Sequence, residues 1–341
     1  MHTFGQLLKL HIYGSSHGPE VGVLLDGVPA GIAINDLDFE HALEKRKPNL
    51  KGTTPRKESD RILIRSGVFE GYTTGVPILL SFYNENQRSE DYENQRSIPR
   101  PSHVDFVAHE KYKGYEDYRG GGAFSARLTV GIVAAGVVAK KIIANYLRWE
   151  KYEIRSEILQ VGKEAEVDMG MAKAIEAKDS VGGLIKIQAN GIPIGVGEPY
   201  FYGLDAAIAQ AVFSIPAVKG LEFGKGFASL NMFGSEHNDA IINNKGETKT
   251  NHAGGVVGGL SNGNPLEFQV VFKPTSSTPQ IQRSYNWKSK EIEEFSIKGR
   301  HDLCVSLRAP IILESITNWV LADLGILYKK IPYEASKNYN L

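Results

Sequence analysis

The chain is poor in cysteine and carries no excess charge of either sign. Cys304 is the only cysteine among 341 residues, so a disulfide within the chain is impossible and a cysteine-based metal site is disfavoured. This usage is typical of a reducing compartment, and we expect a cytoplasmic protein. Lysine plus arginine and aspartate plus glutamate both total 39, which gives a formal net charge of zero. On electrostatic grounds we therefore expect neither a nucleic acid nor a membrane as partner.

The sequence also lacks long apolar runs, linkers and repeats. The longest apolar stretch, residues 128–139, ends at Lys140 and Lys141 and is too short to span a membrane. The N-terminus has no basic region followed by an apolar core, so no secretory signal is predicted. Because no Pro/Ser-rich linker or internal repeat divides the chain, residues 1–330 are predicted to form a single domain. Residues 331–341 are predicted to be a flexible C-terminal tail.

Strand-like and helix-like patterns follow one another without regular alternation. The strand-like runs, bounded by Gly, Asn or Pro, cover residues 7–13, 21–25, 61–66, 77–82, 154–161, 184–189, 226–232 and 266–272. Helix-like patterns cover residues 37–46, 125–148, 169–178, 205–215 and 309–324. This order disfavours a doubly wound parallel sheet. It predicts an α+β fold in which antiparallel sheets pack on a layer of helices.

A glycine run is the most informative segment. Residues 119–127 read RGGGAFSAR and lead into the apolar pattern of residues 128–146. A loop that ends at a helix N-terminus offers free backbone N–H groups to an anion, and glycine allows a ligand to approach the backbone closely. The segment therefore predicts an anion site. The alternative is a tight turn before a core helix.

Two histidines lie in short polar loops. His17 stands in the segment GSSHG, directly after a predicted strand, where it could transfer a proton near neutral pH; the alternative is an incidental histidine in a turn. No Gly-x-Ser-x-Gly context supports a serine nucleophile. His103 is followed two residues later by Asp105, so the two could form an oriented pair. The set of His103, Asp105 and His109 matches no standard metal motif, so no metal site is predicted.

Several segments could bind anions. Cations cluster around Arg46, the loop of residues 273–278 reads KPTSST, and residues 299–302 read GRHD. Each alone could be ordinary solvated surface. Together, without a P-loop or Rossmann fingerprint, they indicate an enzyme that acts on phosphorylated and carboxylated small molecules.

These motifs, in this order, resemble those of chorismate synthases over nearly the full chain. The segments that carry the resemblance are residues 14–29 (GSSHGPEVGVLLDGVP), 69–75 (FEGYTTG), 100–105 (RPSHVD), 118–127 (YRGGGAFSAR), 195–199 (GVGEP), 217–222 (AVKGLE), 251–261 (NHAGGVVGGLS), 273–277 (KPTSS) and 299–304 (GRHDLC). The resemblance implies a β-α-β sandwich, in which two antiparallel four-stranded sheets flank a helical core. It also implies a homotetramer.

The activity implied by the resemblance is the 1,4-anti elimination of phosphate from 5-enolpyruvylshikimate 3-phosphate, which gives chorismate and requires reduced FMN. His17 would protonate the departing phosphate, His103 would sit at the flavin, and Asp302 would help to pass on the proton taken from the substrate. Arg46, Arg127 and Arg300 would bind the substrate. The flavin would be bound by Ser125, Gly258, Lys273, Pro274, Thr275, Ser276, Ser277 and Arg300. NADPH would serve at most as an external reductant, with a separate flavin reductase as a possible partner.

The chain departs from the family pattern at a few positions. Ala123 and Phe124 stand where Arg-Ser is usual, which predicts weaker flavin binding. The remaining departures are Ser15 for Glu, Gly52 for an arginine of some members, Ser102 for Gly and Leu303 for Pro. Two alternatives stay open at this point: a non-catalytic relic that binds FMN or an organic phosphate, and a flavin reductase.

Overall fold

The computed structural model describes residues 2–48, 52–54, 56, 58–86, 96–297 and 301–330. Arg300 and the predicted tail of residues 331–341 lie outside the described residues, so the predictions for them remain predictions. The single-domain boundary at residue 330 likewise stays a prediction.

The described residues form fifteen strands and seven α-helices. The strands are β1 (Thr3–Phe4), β2 (Lys9–Gly14), β3 (Glu20–Asp26), β4 (Leu63–Ile64), β5 (Val68–Phe69), β6 (Tyr72–Thr73), β7 (Ile78–Tyr83), β8 (Glu153–Val161), β9 (Gly183–Asn190), β10 (Val218–Phe223), β11 (Val256–Val257), β12 (Leu260–Ser261), β13 (Leu266–Phe272), β14 (Gln282–Asn286) and β15 (Glu291–Phe295). The helices are α1 (Leu37–Arg46), α2 (Asp105–Tyr112), α3 (Thr129–Lys141), α4 (Val167–Ala177), α5 (Leu204–Phe213), α6 (Gly234–His237) and α7 (Pro310–Lys330).

Two antiparallel sheets form the outer layers. The first has the strand order β1-β2-β3-β7-β4, and the second has the order β10-β13-β9-β8. In β13 the side chains alternate as expected for a strand with one buried face: Leu266, Phe268, Val270 and Phe272 are buried. The predicted architecture of two antiparallel sheets around helices is confirmed, although the first sheet has a fifth strand, the two-residue β1.

Helices α3 and α7 form the layer between the sheets. Helix α3 is apolar on all sides, and its residues are almost entirely buried. It packs closely on α7 at Gly136, where a Cβ atom would lie 2.3 Å from the Cβ of Ser315. Residues Ala126–Leu147 and Val305–Lys329 are long and apolar enough to cross a membrane by length and composition. However, 72% and 78% of their apolar windows are buried inside the fold, as expected of core helices.

The sequence patterns missed or misassigned several elements. Residues 226–232, predicted as a strand, instead contain a 3-10 turn over Gly226–Asn231, with Phe227 and Leu230 exposed to solvent. Strand β10 and helix α2 were not predicted. The hairpin of β14 and β15 was not predicted either, because its sequence is mostly polar.

Candidate functional site

The glycine run forms a compact loop rather than the first turn of a helix. Gly120, Gly121 and Gly122 all have positive φ values, of 58°, 80° and 52°. Helix α3 begins only at Thr129, after a short 3-10 turn over Ala126–Leu128. Together with the π-helical residues Ile142–Leu147, these elements form one helical segment over Ala126–Leu147, which confirms the predicted helix of residues 125–148. Three left-handed residues in succession are accessible to glycine without strain, and they fold the backbone against two histidines.

His17 packs against the first of these glycines. Its side chain is buried in the loop between β2 and β3, and a Cβ atom at Gly120 would lie 2.3 Å from both Cε1 and Nδ1 of the imidazole. Burial lowers the pKa of His17, and the positive charges of Arg56 and Arg119 lower it further. A lowered pKa favours the neutral form of the imidazole near neutral pH.

Two arginines stabilise the His17 loop, Arg56 by direct hydrogen bonds and Arg119 through Asp117. Nη1 and Nη2 of Arg56 donate to Oγ and the carbonyl oxygen of Ser16, at 3.0 and 3.2 Å. Arg119 forms a two-pronged ion pair with Asp117, at 2.8 and 3.0 Å, and Asp117 also accepts a hydrogen bond from Ser15 Oγ. Two cations therefore lie near His17, and each is ion-paired with a carboxylate, Arg56 with Glu58 and Arg119 with Asp117.

His103 lies on the other side of the glycine loop. A Cβ atom at Gly121 would lie 3.7 Å from His103 Cε1 and 3.8 Å from Nε2. Nδ1 of His103 lies 2.6 Å from Oδ1 of Asp105, which confirms the predicted pair. Burial lowers the pKa of His103, although the hydrogen bond to Asp105 opposes this shift. Burial alone would raise the pKa of Asp105, but the hydrogen bonds from Arg100 and His103 hold it well below its usual range.

The loop of residues 273–277 lies next to His103. Lys273 Nζ donates to Ser276 Oγ at 2.7 Å, and Ser276 Oγ donates to the carbonyl oxygen of Ser102 at 2.9 Å. Ser277 Oγ accepts a hydrogen bond from Arg100 Nη1 at 3.1 Å. Burial lowers the pKa of Lys273, and the neighbouring Lys219 lowers it further. The loop thus places one cation and several hydroxyl groups beside the His103–Asp105 pair.

Asp302 is buried and connects this loop to residues 52–54. Its Oδ1 accepts a hydrogen bond from the backbone N–H of Thr54 at 2.8 Å, and its backbone carbonyl oxygen accepts one from Thr275 Oγ1 at 2.7 Å. Arg308, which the sequence did not suggest, donates to Asp302 Oδ2 at 2.5 Å. This ion pair places a guanidinium beside the Asp302 carboxylate.

Arg46 and Arg127 converge on a single buried carboxylate. Asp60 pairs with Arg46 Nη1 at 3.2 Å through Oδ2, and with Arg127 Nη1 through Oδ1. The remaining donors of Arg46 bond to Thr129 Oγ1 and to the carbonyl oxygens of residues 126 and 127. Burial lowers the pKa of Arg46 to about 9, which still leaves it charged at neutral pH.

The remaining donors of Arg127 also bond to protein acceptors. Its Nε donates to Asn84 Oδ1 at 2.9 Å, and its Nη2 donates to the carbonyl oxygen of Tyr83 at 3.1 Å. Both arginines thus bond to protein acceptors, and their predicted contact with substrate stays a prediction.

Two residues predicted to bind the flavin, Ser125 and Gly258, lie in different parts of the fold. Ser125 lies at the glycine loop, where its Oγ accepts a hydrogen bond from the Arg127 backbone N–H at 3.3 Å. Gly258 lies in the turn between β11 and β12, and a Cβ atom there would meet nothing within 4 Å. That hairpin bonds through Gly259 to Leu204. Among the described residues, hydrogen bonds do not link it to the 273–277 loop.

A cavity of about 420 Å³ lies behind the glycine loop. Its wall includes Gly121, Asp105 and Trp287, together with three of the departures from the family pattern, Ser15, Ala123 and Phe124. His109 stacks on Trp287 at a ring distance of 4.6 Å, and its Nδ1 lies 3.2 Å from Oε1 of Glu116. No cluster of three or more potential metal ligands occurs within residues 2–330 where the structure describes them.

Comparison with known proteins decides the family. The chorismate synthase family model matches residues 8–326. The chain belongs to the chorismate synthase family. It is 54% identical over 330 residues to a chorismate synthase of Chitinophaga pinensis, covering 97% of this chain and 98% of the relative. It is 41% identical over 351 residues to a chorismate synthase of Methanobrevibacter smithii, covering 94% and 95%.

A solved structure shares the fold of this family. A crystal structure titled chorismate synthase superimposes with a TM-score of 0.72, at 24% identity, over 95% of this chain and 93% of that one. At this identity the likeness supports the fold alone. The family and the fold inferred from the motifs are thereby confirmed.

Proposed function

We propose that this protein catalyses the 1,4-anti elimination of phosphate from 5-enolpyruvylshikimate 3-phosphate to give chorismate, as a carbon–oxygen lyase acting on a phosphate. Membership of the family supports the reaction. The observation that supports this reaction for the present chain is the glycine loop: His17 packs against Gly120, and His103 lies close to Gly121. Two titratable groups are thus held at one loop among several cations, as the departure of an anion requires.

His17 is the residue we assign to the departing phosphate. A neutral imidazole cannot act as an acid, but an approaching phosphate dianion favours the protonated form and raises the histidine pKa. Arg56 and Arg119 help to attract that dianion. We assign Arg46, Arg127 and Arg300 to the other anionic groups of the substrate. We assign Asp302, which forms an ion pair with Arg308, to the onward transfer of the substrate proton.

We propose reduced FMN as the cofactor. The described residues fit an anionic, phosphate-bearing group: Lys273 and the hydroxyl groups of Thr275, Ser276 and Ser277 lie beside His103. Residues 273–277 would hold the group together with Ser125, Gly258 and Arg300. A bound reduced flavin would supply electron density to the elimination, which has no net redox change.

We also propose that the protein assembles with copies of itself, as a cytoplasmic homotetramer. The exposed fractions of Tyr200, Phe201, Phe227 and Leu230 are 88%, 91%, 84% and 90%. Large apolar side chains exposed to this extent favour burial against another protein surface. Reduced flavin would come from outside the chain, through NADPH or a separate flavin reductase.

The test is anaerobic formation of chorismate from 5-enolpyruvylshikimate 3-phosphate with chemically reduced FMN, with and without NADPH. We expect product without NADPH, and a loss of turnover of ~10²–10⁴-fold in His17→Gln. His11→Gln is the matched control, because this histidine bonds to Thr3 at an exposed strand position. Flavin binding without product would identify a non-catalytic relic. Oxidation of NADPH by the chain, without chorismate, would identify a flavin reductase.

A further inference from the structure

Arg100, Asp105 and Ser277 form a connected set of hydrogen bonds behind His103. Nε of Arg100 donates to Asp105 Oδ2 at 2.7 Å, and Nη2 donates to Oδ1 at 2.8 Å. The third arm, Nη1, donates to Ser277 Oγ at 3.1 Å. Arg100 is 6% exposed, so this contact is shielded from water. A bidentate arginine–carboxylate pair fixes both groups in one plane.

These contacts determine which nitrogen of His103 carries the hydrogen atom. Nδ1 of His103 lies 2.6 Å from Asp105 Oδ1 and 3.0 Å from Arg100 Nη2. Nδ1 could either donate to Asp105 or accept from Arg100. The 2.6 Å contact favours donation to Asp105, because an Nδ1 without hydrogen would place its lone pair against a charged carboxylate oxygen, and Arg100 Nη2 can donate to Asp105 Oδ1 instead. In the neutral imidazole, Nε2 is then the acceptor, and it lies on the side of Gly121.

We propose that Asp105 is a positioning residue that locks His103 in the Nδ1–H tautomer, and that Arg100 ties this pair to the 273–277 loop. The proposal rests on the proposed function for its catalytic consequence only. The charged groups around His103 come from separate segments: Arg100 from the preceding loop, Asp105 from the first turn of α2, and Lys273 from the end of β13. The glycine loop contributes no charge at Gly121.

Asp105→Asn tests the lock because the two orientations of the new amide are unequal. If the NH₂ group replaced Oδ2, it would face Nε and the backbone N–H of residue 100, which are both donors that cannot become acceptors. If it replaces Oδ1, it faces one such donor, Arg100 Nη2, and His103 Nδ1, which can become an acceptor by moving its hydrogen to Nε2. We therefore expect the substitution to switch His103 to the Nε2–H tautomer. The same exchange of Asp for Asn beside a catalytic histidine in a serine protease leaves the geometry intact but stabilises the wrong tautomer.

The experiment is ¹⁵N NMR of histidine-labelled protein without cofactor, in which the shifts of the two ring nitrogens report the tautomer; His103→Gln assigns the signals. We expect Nδ1–H in wild type, Nε2–H in Asp105→Asn, and retained Nδ1–H in Arg100→Lys, where Asp105 remains. Glu116→Gln is the matched control, because Glu116 lies 3.2 Å from His109 Nδ1 in a second histidine–carboxylate pair. It should leave the His103 signals unchanged.

Turnover provides the second readout. We expect Asp105→Asn to lower kcat by ~10²-fold or more, with a small change in KM, and Glu116→Gln to resemble wild type. An Nε2–H tautomer in wild type would overturn the proposal, even if Asp105→Asn did not fold. So would a loss of kcat in a folded Asp105→Asn protein that retains Nδ1–H. Failure of the chorismate assay in wild type would instead contradict the proposed function and leave the tautomer assignment standing.

Discussion

A Cβ atom at Gly120 would lie 2.3 Å from Nδ1 of His17, so the backbone of this glycine is part of the wall against which the imidazole packs. The same hypothetical atom would lie 3.0 Å from Ser16 Oγ, which Arg56 holds in place. Any side chain at position 120 must therefore displace the histidine or its loop.

Gly120→Ala should impair turnover much more than stability. The positive φ of 58° costs an alanine about 1–2 kcal/mol. Its Cβ atom, 2.3 Å from the imidazole, must push His17 out of place, which should lower turnover by ~10²-fold. The control is Gly31→Ala, at φ 84°, where a Cβ atom meets nothing within 4 Å. Equal turnover in the two variants, measured beside their urea denaturation midpoints, would show that the His17 contact is not limiting.

The pH dependence should reveal the charges around His17. If His17 acts as an acid, kcat/KM falls as the pH rises through its pKa, which burial, Arg56 and Arg119 hold below the ordinary value. Arg119→Gln removes one of the two positive charges and leaves Asp117, which raises the pKa of His17, without its ion-pair partner. The pKa of His17 should rise, and the alkaline limb of the profile should move to higher pH. Arg155→Gln, at an exposed pair with Glu153, should leave the limb in place. A shift toward lower pH would contradict the assignment.

Local sequence patterns predicted a helix or strand correctly where its apolar residues pack into the core. Helix α1 and strand β13 occupy the predicted ranges of 37–46 and 266–272, because each has an apolar face buried in the core. Helix α2 was missed because Phe106 and Val107 remain half exposed and give no clear apolar face. The predicted strand at 226–232 failed for a related reason: its alternating apolar side chains point into solvent, where they provide no pairing surface.

The site was predictable only where its residues are close in the chain. The pairing of His103 with Asp105 follows from their spacing of two residues. The pairing of Asp60 with Arg127 joins positions 67 apart, and no pattern of polarity or spacing indicates it. The pairing of Asp302 with Arg308 depends on the 3-10 turn of residues Val305–Arg308, whose geometry is set by tertiary packing.

The shared carboxylate of Asp60 should be essential to the fold. The side chains of Asp60, Arg46 and Arg127 are 3%, 5% and 6% exposed, so Asp60→Asn leaves two buried guanidinium groups without their counter-charge. We expect the free energy of unfolding to fall by about 3–5 kcal/mol, as for other broken buried pairs. Glu153→Gln breaks an exposed pair, with side chains 52% and 71% exposed, and should cost about 1 kcal/mol or less. Similar denaturation midpoints for the two variants would contradict the structural role of Asp60.

The departure at Ala123 and Phe124 offers a test of what the glycine loop does in this chain. Both side chains are exposed and line the cavity behind the loop, and the ring of Phe124 lies 6.3 Å from that of Tyr112. Neither residue can offer a charged contact, so flavin should bind more weakly here than in a relative with Arg-Ser. Ala123→Arg/Phe124→Ser should tighten reduced FMN by about 1–3 kcal/mol, the range for a hydrogen bond to a charged group. The gain should shrink at high salt, because position 123 is exposed and the new charge is screened.

Ala172→Arg, on the exposed face of α4, is the control: it adds the same charge elsewhere and should leave the flavin affinity unchanged. The measurement is an anaerobic flavin titration at low and high ionic strength. Equal affinities for wild type and the double variant would mean that these two side chains do not face the flavin, and that the cation its phosphate needs is supplied from another segment.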